Sequence, residues 1–354
     1  MNTRTPAFRR AAAILGGLLV ALAGSLLWRS LGLPLPWLVG SLLCVAAARI
    51  LGLPLSAPPA ARQAGQWVIG TNIGLYFSSQ VIGQLLSHAG LIAAMAAVSV
   101  LLGALGAAIM VRLAIADRPT AFFASMPGGA SEMANIADRW RAAVDLVALA
   151  HALRVTLVVV VVPLAMVLSG SHGADASANP HRDLIWSNLP VMAAAGLVGM
   201  VGFRFLRLPN PWVLGTLAGV AALALGGGPL SALPPWMAAG GQLLIGLSLG
   251  NHFGPGFLRR APLFVFASTV NSLAYLGVTG TLAWLLAPLA GVGVPSLALS
   301  FSPGGIAEMS ITASQLNLGV PLVVAAHVAR VIALMLLASP AFRVFSRLLK
   351  EGKP

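Results

Sequence analysis

Long apolar stretches separated by short polar connections dominate the chain. Residues 11–28 and 30–48 are each long enough for one membrane-spanning helix, and residues 63–111, 208–258 and 261–307 each contain more than one. A single span takes roughly 20 apolar residues. Because Ala, Leu, Val and Gly fill these stretches without a ten-residue alternation, helices are favoured over an outer-membrane barrel. The pattern predicts an all-α polytopic membrane protein.

The same motifs occur twice along the chain, 176 positions apart. The most specific motif is Pro-Gly-Gly-x-x-Glu, at residues 127–132 and again at 303–308. The same shift pairs His151 with His327, Arg154 with Arg330 and Gly65-Gln66 with Gly241-Gln242, while a shift of 175 pairs Pro36-Trp37 with Pro211-Trp212. So many coincidences of rare residue types indicate an internal duplication.

Each repeat contains five predicted spanning helices and one shorter, more polar element. The spans lie near 11–29, 35–51, 63–84, 89–112 and 143–168 in the first repeat, and near 185–204, 211–228, 236–254, 262–288 and 320–342 in the second. We interpret the shorter elements, 120–140 and 297–318, as re-entrant or half-spanning segments. Residues 1–170 then form the first membrane repeat, 171–183 an external linker, and 184–354 the second repeat.

The basic residues indicate how the repeats are oriented. With ten crossings and an interior N-terminus, 17 of the 21 Lys and Arg residues face the cytoplasm, as the positive-inside rule requires. Six crossings per repeat would move Arg139, Arg141, Arg204, Arg207, Arg259 and Arg260 outside. An odd number of crossings inserts the second repeat upside down, and such inverted repeats are typical of secondary transporters. The sequence therefore predicts a multi-pass protein of the bacterial inner membrane with both termini in the cytoplasm.

Composition narrows the range of partners. The chain is 58% hydrophobic and 8% charged, so it has too few charges to coat a soluble protein of this size. Its net charge of +13 comes from dispersed arginines without a basic face, which argues against nucleic acid as a partner. We expect the lipid bilayer and a small-molecule or ion substrate as partners and no cofactor, and the sequence leaves a homo-oligomer open.

The two Pro-Gly-Gly motifs are the first candidate for a binding site. Proline removes an amide donor and glycine permits unusual backbone angles, so a helix is interrupted there and a new one can start. Irregular backbone at membrane depth persists only where protein or a water-filled cavity satisfies it. The alternative is a tight turn between helices at the membrane surface. The site hypothesis includes Pro127, Gly128, Gly129 and Ser131 in the first repeat and Pro303, Gly304 and Gly305 in the second.

Charged and polar residues near the motifs complete the candidate set. Glu132 and Glu308 are expected to carry a proton or cation, or alternatively to form a fixed ion pair with an arginine. Arg154 and Arg330 could bind an anion or neutralise these glutamates, and each follows its histidine on one helical face. His151 and His327 could relay protons or be hydrogen-bonded structural residues. Asn72 and Asn251 are candidates for lining a cavity.

Two segments carry a family resemblance. MPGGASEMANIADRWRAAVDLVALAHALRV and SPGGIAEMSITASQLNLGVPLVVAAHVARV resemble the signature halves of the membrane AbrB-duplication family. Members are labelled ammonia monooxygenase or AbrB-type regulator, so the resemblance implies these activities. The six histidines are scattered, and no two have the spacing of metal ligands on one helix. The residues therefore predict no metal site and no enzyme, and no DNA-binding module is evident.

Three functions remain in view. The leading hypothesis is a secondary transporter or exporter of a small solute, working by alternating access around the two Pro-Gly-Gly motifs. The alternative is a membrane-embedded regulatory protein that affects gene expression indirectly. A membrane monooxygenase is the third hypothesis.

Overall fold

The computed structural model describes residues 6–170, 182–256 and 261–351. Within these ranges the chain is helical, without a β-strand. The helices are α1 (Pro6–Ser30), α2 (Ser41–Ile50), α3 (Pro59–Gly74), α4 (Ser79–Ser87), α5 (Ala89–Arg112), α6 (Arg118–Ser125), α7 (Ala130–Arg139), α8 (Val144–Leu168), α9 (Leu189–Phe205), α10 (Thr216–Leu225), α11 (Pro235–Gly250), α12 (Pro262–Ala290), α13 (Val294–Phe301), α14 (Ile306–Gln315) and α15 (Val320–Glu351).

Within the described ranges, six helical segments are long and apolar enough to cross a membrane, which confirms the prediction of a helical membrane-type fold. They are Ala7–Ser30, Ala89–Arg112, Val144–Leu168, Trp186–Phe205, Pro262–Ala290 and Val320–Leu348. Two shorter apolar segments, Pro36–Ile50 and Pro211–Leu225, each begin with one π-helical turn. A proline opens each π-helical turn, where its missing N–H costs no helical hydrogen bond.

Two predicted elements differ from the structure in their continuity. The predicted span 63–84 is divided into α3 and α4, which are separated by four non-helical residues, 75–78. Each predicted shorter element is a pair of helices. Helices α6 and α7 flank the first Pro-Gly-Gly motif, and α13 and α14 flank the second. The motif therefore lies in the middle of an interrupted helix.

The described residues form two compact units, and each unit draws on both halves of the sequence. Unit 1 contains residues 6–82, 163–170 and 182–256, and unit 2 contains residues 83–162 and 261–351. Both interrupted helices belong to unit 2. Each compact unit thus contains residues from before and from after residue 170.

In unit 1, helices from the first half of the sequence pack on helices from the second half, and the contacts occur in equivalent pairs. Helix α3 packs on α10, and α11 packs on α2. Helices α3 and α11 also cross each other at Gly65, where a Cβ atom would lie 2.7 Å from the carbonyl oxygen of Gly241. Gly70 approaches the backbone of Val213 in the same way that Gly246 approaches that of Leu38. Absence of a side chain at these glycines is what allows such close packing.

Unusual backbone angles also occur in pairs. Leu35 and Asn210 both have positive φ, of 50° and 48°, immediately before the π-helical turns. Arg141 and Asn317 have φ of 55° and 52° just after α7 and α14. A positive φ is uncommon for residues other than glycine. These pairs have the same spacing as the matched sequence motifs, so the local backbone is repeated together with the sequence.

In unit 2, the long helix α15 contacts α5, α13 and α14. Its C-terminal part also carries two phenylalanines that pack on α6. Phe122 of α6 lies 5.3 Å from Phe342 and 5.0 Å from Phe345, measured between ring centroids. Aromatic pairs at such separations add about 0.5–1.5 kcal/mol each beyond burial. This cluster fixes the helix that leads into the first interruption.

Two glycines of α9 provide a stability prediction with a matched control. A Cβ atom on Gly199 would overlap the carbonyl oxygen of Gly215 and lie 2.7 Å from the nitrogen of Gly219, whereas one on Gly202 would meet open space. We expect Gly199→Ala to cost about 1–3 kcal/mol, the usual range for overpacking. Gly202→Ala should be neutral or slightly stabilising, since alanine favours the helix. Thermal unfolding in detergent measures both, and equal midpoints would contradict the close approach of α9 and α10.

Candidate functional site

Each interruption consists of an extended backbone between two short helices. Helix α6 ends at Ser125 and α7 begins at Ala130, while α13 ends at Phe301 and α14 begins at Ile306. The residues that precede the second helices, Gly129 and Gly305, are extended, with φ of −68° and −82°. Proline cannot donate a hydrogen bond at either break. Carbonyl groups at the C-terminal ends of α6 and α13 therefore need other hydrogen-bond donors.

A buried arginine supplies those donors at each break. Arg330 donates from Nη1 to the carbonyl of Ser302 and from Nη2 to that of Gly304, both at 2.6 Å. Arg154 donates to the carbonyls of Ala124 and Gly128, both at 3.4 Å. The arginines are only 3% and 4% exposed. Both guanidinium groups therefore donate to backbone carbonyls at or beside their own break.

Each glutamate of the motif folds back over the glycine that precedes its helix. A Cβ atom on Gly129 would overlap Oε2 of Glu132, and one on Gly305 would overlap Oε2 of Glu308. A glutamate three residues into a helix commonly reaches back in this way to the residue that caps the helix. A side chain at position 129 or 305 would therefore force the carboxylate of the glutamate to move.

The two histidines occupy equivalent positions one turn before the arginines. Nδ1 of His151 hydrogen-bonds the carbonyl of Val147, and Nδ1 of His327 that of Val323, both at 2.8 Å. Both side chains are fully buried. Each ring also interacts with the backbone of its break, His151 with Met126 and His327 with Ser302. The histidines thus have the structural role considered for them, since each connects its helix to the neighbouring break.

The two breaks differ in their burial. In the second, Pro303, Gly304 and every residue of α14 from Ile306 to Ala313 are buried, including Glu308 at 6% exposure. In the first, Pro127 is buried but Gly128, Gly129 and Glu132 are partly exposed. The side chain of Ser131 lies outside the described residues. The second break therefore provides the more enclosed environment for a charged group.

The arginines of the two halves lie near each other and near Tyr275 of α12. Arg154 is close enough to Arg330 for mutual repulsion, and the phenol interacts electrostatically with both. Tyr275 itself is 6% exposed. Its hydroxyl interacts with Ser99, whose own hydroxyl donates to the carbonyl of Met95 at 2.8 Å. Two like charges close together in a protein interior are costly unless a counter-charge or strong hydrogen bonds compensate.

Sequence reasoning missed the polar face of α12. Ser268, Ser272, Tyr275 and Thr279 follow helical spacing and are each at least 94% buried. Hydroxyl groups in an apolar stretch change its mean hydropathy little, so the stretch looks like an ordinary span. The spacing of 4, 3 and 4 residues is the signal that could have identified this face.

This polar face lines a small cavity within unit 2. The lining includes Ser125, Arg154, Ser268, Asn271, Ser272 and Tyr275. Its volume is about 10 Å³, room for roughly one water molecule. Asn271 donates from Nδ2 to the hydroxyl of Ser125 at 3.3 Å. Across the described residues, Nε of Arg154 and the hydroxyl of Ser268 have no hydrogen-bond partner.

The structure brings most, but not all, of the predicted site residues into one unit. The Pro-Gly-Gly motifs, both glutamates, both histidines and both arginines belong to unit 2. Asn72 and Asn251 belong to unit 1, where both are partly exposed. Among the described residues, there is no group of three or more His, Cys, Asp or Glu side chains that could hold a metal ion.

Comparison with known proteins identifies similar chains over nearly the full length. A family model described as "Transition state regulatory protein AbrB" matches residues 37–346. "Uncharacterized protein YhjN" of Bacillus subtilis is 26% identical over 360 residues, covering 94% of this chain and 93% of the relative. "Putative regulator AbrB" of Escherichia coli is 27% identical over 319 residues, covering 88% of this chain and 90% of the relative. The region that the family model matches includes both Pro-Gly-Gly motifs.

Proposed function

Because the chain belongs to the AbrB family, whose match includes both interrupted helices, we propose that it is a secondary transporter of a small solute. It would work by alternating access in the bacterial inner membrane. A transport protein needs a polar site away from lipid, reached through irregular backbone that other protein groups stabilise. The observation that carries the proposal is the pair of buried arginines that bind the broken ends of the two interrupted helices.

The proposed transporter consists of two inverted repeats of five spans and one interrupted helix each. Reciprocal packing of α3 on α10 and of α11 on α2 supports a two-fold relation between the halves. The distribution of Lys and Arg supports an odd number of crossings per repeat and cytoplasmic termini. On this proposal each interrupted helix is re-entrant or half-spanning, and a site between equivalent helices can open to either side.

The side chains near the breaks have distinct proposed roles. Glu308, and to a lesser extent the more exposed Glu132, would take up and release a proton or cation during transport. Arg154 and Arg330 would hold the broken helices and supply positive charge. His151 and His327, whose rings contact the breaks, would take part in proton transfer. The chain would act as a carrier, with no catalytic residue, no cofactor and no nucleic acid partner.

A second candidate function is indirect regulation of gene expression. The family description and the name of the Escherichia coli relative both contain the word regulator or regulatory. A regulatory membrane protein would need a specific soluble partner to pass on its signal. Purification from membranes in mild detergent, followed by mass spectrometry, would support this function if a stoichiometric soluble partner is retained.

Replacing Glu308 by glutamine tests the transport proposal. The protein is reconstituted into liposomes that contain a pH-sensitive dye and diluted into single solutes from a panel of organic acids, amines and amino acids. We expect at least one solute to cause a saturable change in internal pH. Glu308→Gln should reduce that change at least tenfold, because a neutral amide cannot carry a proton.

The matched control for this experiment is Asp138→Asn on the exposed end of α7. It removes one acidic group without touching the second break, so its flux should equal that of the native protein. Intact flux in Glu308→Gln would exclude this residue from coupling. No saturable response to any solute in the panel would contradict transport of the classes tested.

A further inference from the structure

Three basic side chains of unit 1 lie at the C-terminal end of α11. Arg49 belongs to the last turn of α2 and Arg62 to the start of α3, and both helices pack on α11. Nη2 of Arg49 lies 3.8 Å from the position of a Cβ atom on Gly254, and Arg62 interacts electrostatically with His252, two residues earlier. We call Arg49, Arg62 and His252 the basic cluster.

No carboxylate in the described part of unit 1 lies near the basic cluster. The one acidic residue there is Asp183, whose main-chain carbonyl accepts a hydrogen bond from the N–H of Ala232, just before the N-terminal end of α11. At about 1.5 Å per residue, the 16 residues of α11 separate this end from the basic cluster by about 24 Å. The positive charge of the basic cluster is therefore not neutralised within the described part of unit 1.

The basic cluster is accessible to a ligand. Arg49 and Arg62 are partly exposed, and His252 is exposed. Nε of Arg49 is nevertheless buried, and among the described residues it has no hydrogen-bond partner. Holding a partly buried charge without a counter-charge is costly. An anion that reaches the basic cluster would therefore be stabilised there.

Apolar side chains beside the basic cluster indicate that this anion is part of a lipid. Ile50, Leu51 and Leu53 closely follow Arg49 in the chain and are 39%, 82% and 48% exposed. Neighbouring exposed apolar side chains mark contacts with membranes or other apolar partners. The positive-inside rule predicts that Arg49 and Arg62 face the cytoplasm, where anionic lipid headgroups bind basic pockets between helices.

We propose that the basic cluster binds an anionic phospholipid, with the phosphate on the basic side chains and an acyl chain on the exposed leucines. Arginine suits this role because its planar group of N–H donors matches the oxygens of a phosphate. A zwitterionic lipid has the same phosphate but also an ammonium group, which the basic cluster repels. The site therefore selects lipids with a net negative charge. The inference is independent of the proposed function, because it requires no movement of a solute.

Lipid titration of the full-length protein in detergent micelles tests the inference. Dioleoylphosphatidylglycerol is added at increasing mole fraction, and the thermal unfolding midpoint is recorded. Dioleoylphosphatidylcholine, which has the same acyl chains and no net charge, and glycerol 1-phosphate, which has no acyl chain, are titrated in parallel. We expect a saturable rise of the midpoint with phosphatidylglycerol alone. An equal rise with phosphatidylcholine would overturn the inference, and so would an equal rise with glycerol 1-phosphate, which would assign the site to a soluble anion.

Substitutions in the basic cluster locate the effect. Arg49→Gln and Arg62→Gln should each raise the half-maximal mole fraction of phosphatidylglycerol about fivefold, the factor that corresponds to one basic residue near an anionic membrane surface. Each midpoint is compared with that of the same variant without lipid, so a change in basal stability does not affect the result. If the buried Nε makes Arg49→Gln unable to fold, Arg62→Gln decides. A native half-maximal mole fraction in Arg62→Gln would overturn the inference.

Arg29→Gln is the matched control. Arg29 is an exposed arginine in the last turn of α1, and it also belongs to unit 1. It precedes the apolar segment Pro36–Ile50, whereas Arg49 lies at the far end of that segment. This variant removes the same charge from the protein and should keep the native half-maximal mole fraction. A fivefold rise in Arg29→Gln as well would show that net charge, rather than the basic cluster, attracts the lipid.

Discussion

Gly305→Ala is expected to lower solute flux at least tenfold and to destabilise the protein by about 1–3 kcal/mol. The new Cβ atom would occupy the position of Oε2 of Glu308, so the carboxylate must leave its place above the start of α14. Because α14 is buried along most of its length, the displaced side chain has little free volume to enter. Flux in liposomes and thermal unfolding in detergent measure the two effects.

Gly293→Ala is the control for this prediction. Gly293 precedes α13 as Gly305 precedes α14, and both have extended backbone. A Cβ atom on Gly293 would meet its nearest neighbour, Cδ of Pro295, at an ordinary 3.9 Å. Both variants replace a glycine cap by alanine, which by itself costs about 1 kcal/mol or less. A larger loss in Gly305→Ala can therefore be assigned to Glu308.

A double-mutant cycle isolates the contact between these two residues. In a Glu308→Ala background the carboxylate is absent, so Gly305→Ala should cost no more than Gly293→Ala. In a Glu308→Gln background the side chain keeps its size, and the full cost of Gly305→Ala should remain. An equal cost of Gly305→Ala in all three backgrounds would show that the backbone, rather than Glu308, requires glycine.

The long helices could be predicted from the sequence because length and hydropathy determine them. The predicted span 89–112 coincides with α5, and the span 143–168 differs from α8 by one residue. Each of these helices is one long and predominantly apolar stretch, so the local signal is strong. The repeated motif also predicted equivalent positions for Arg154 and Arg330, and each arginine contacts the glycine carbonyl of its own break.

The division of the interrupted helices could not be predicted because it depends on groups distant in sequence. Residues 118–125 are too short for a span, so nothing local distinguished α6 from a loop. Its position is determined by contact with Phe342 and Phe345, more than 200 residues away. The two compact units likewise follow from contacts between matched segments of both halves, which a search for repeats does not reveal.

The partner of each arginine also required the structure. The sequence suggested an anion or the carboxylates of Glu132 and Glu308 as partners, and it gave no sign of the backbone partners that the structure adds. The proline of each break, however, leaves carbonyls without donors, and a guanidinium with five N–H groups can satisfy two of them at once. The need for a donor at the break therefore decides where the terminal guanidinium nitrogens lie.

Arg330→Lys is expected to be considerably more harmful than Arg154→Lys, although the two arginines occupy equivalent positions. The guanidinium of Arg330 holds two carbonyls at 2.6 Å, whereas that of Arg154 holds its two at 3.4 Å. A lysine has one ammonium nitrogen and cannot reproduce two hydrogen bonds that come from two separate nitrogens of a planar group. We expect Arg330→Lys to cost about 2–3 kcal/mol and Arg154→Lys about 1 kcal/mol or less, because hydrogen bonds weaken steeply with distance.

Thermal unfolding of both variants in detergent, with flux measured in parallel, checks this difference. The second break is also the more buried, so carbonyls released by Arg330→Lys cannot turn to water, while those of the first break, near the partly exposed Gly128, can. Flux should follow the same order, with Arg330→Lys reduced at least tenfold. Equal losses in the two variants would show that the repeats contribute equally to the site, and that the difference in distance and burial has no energetic consequence.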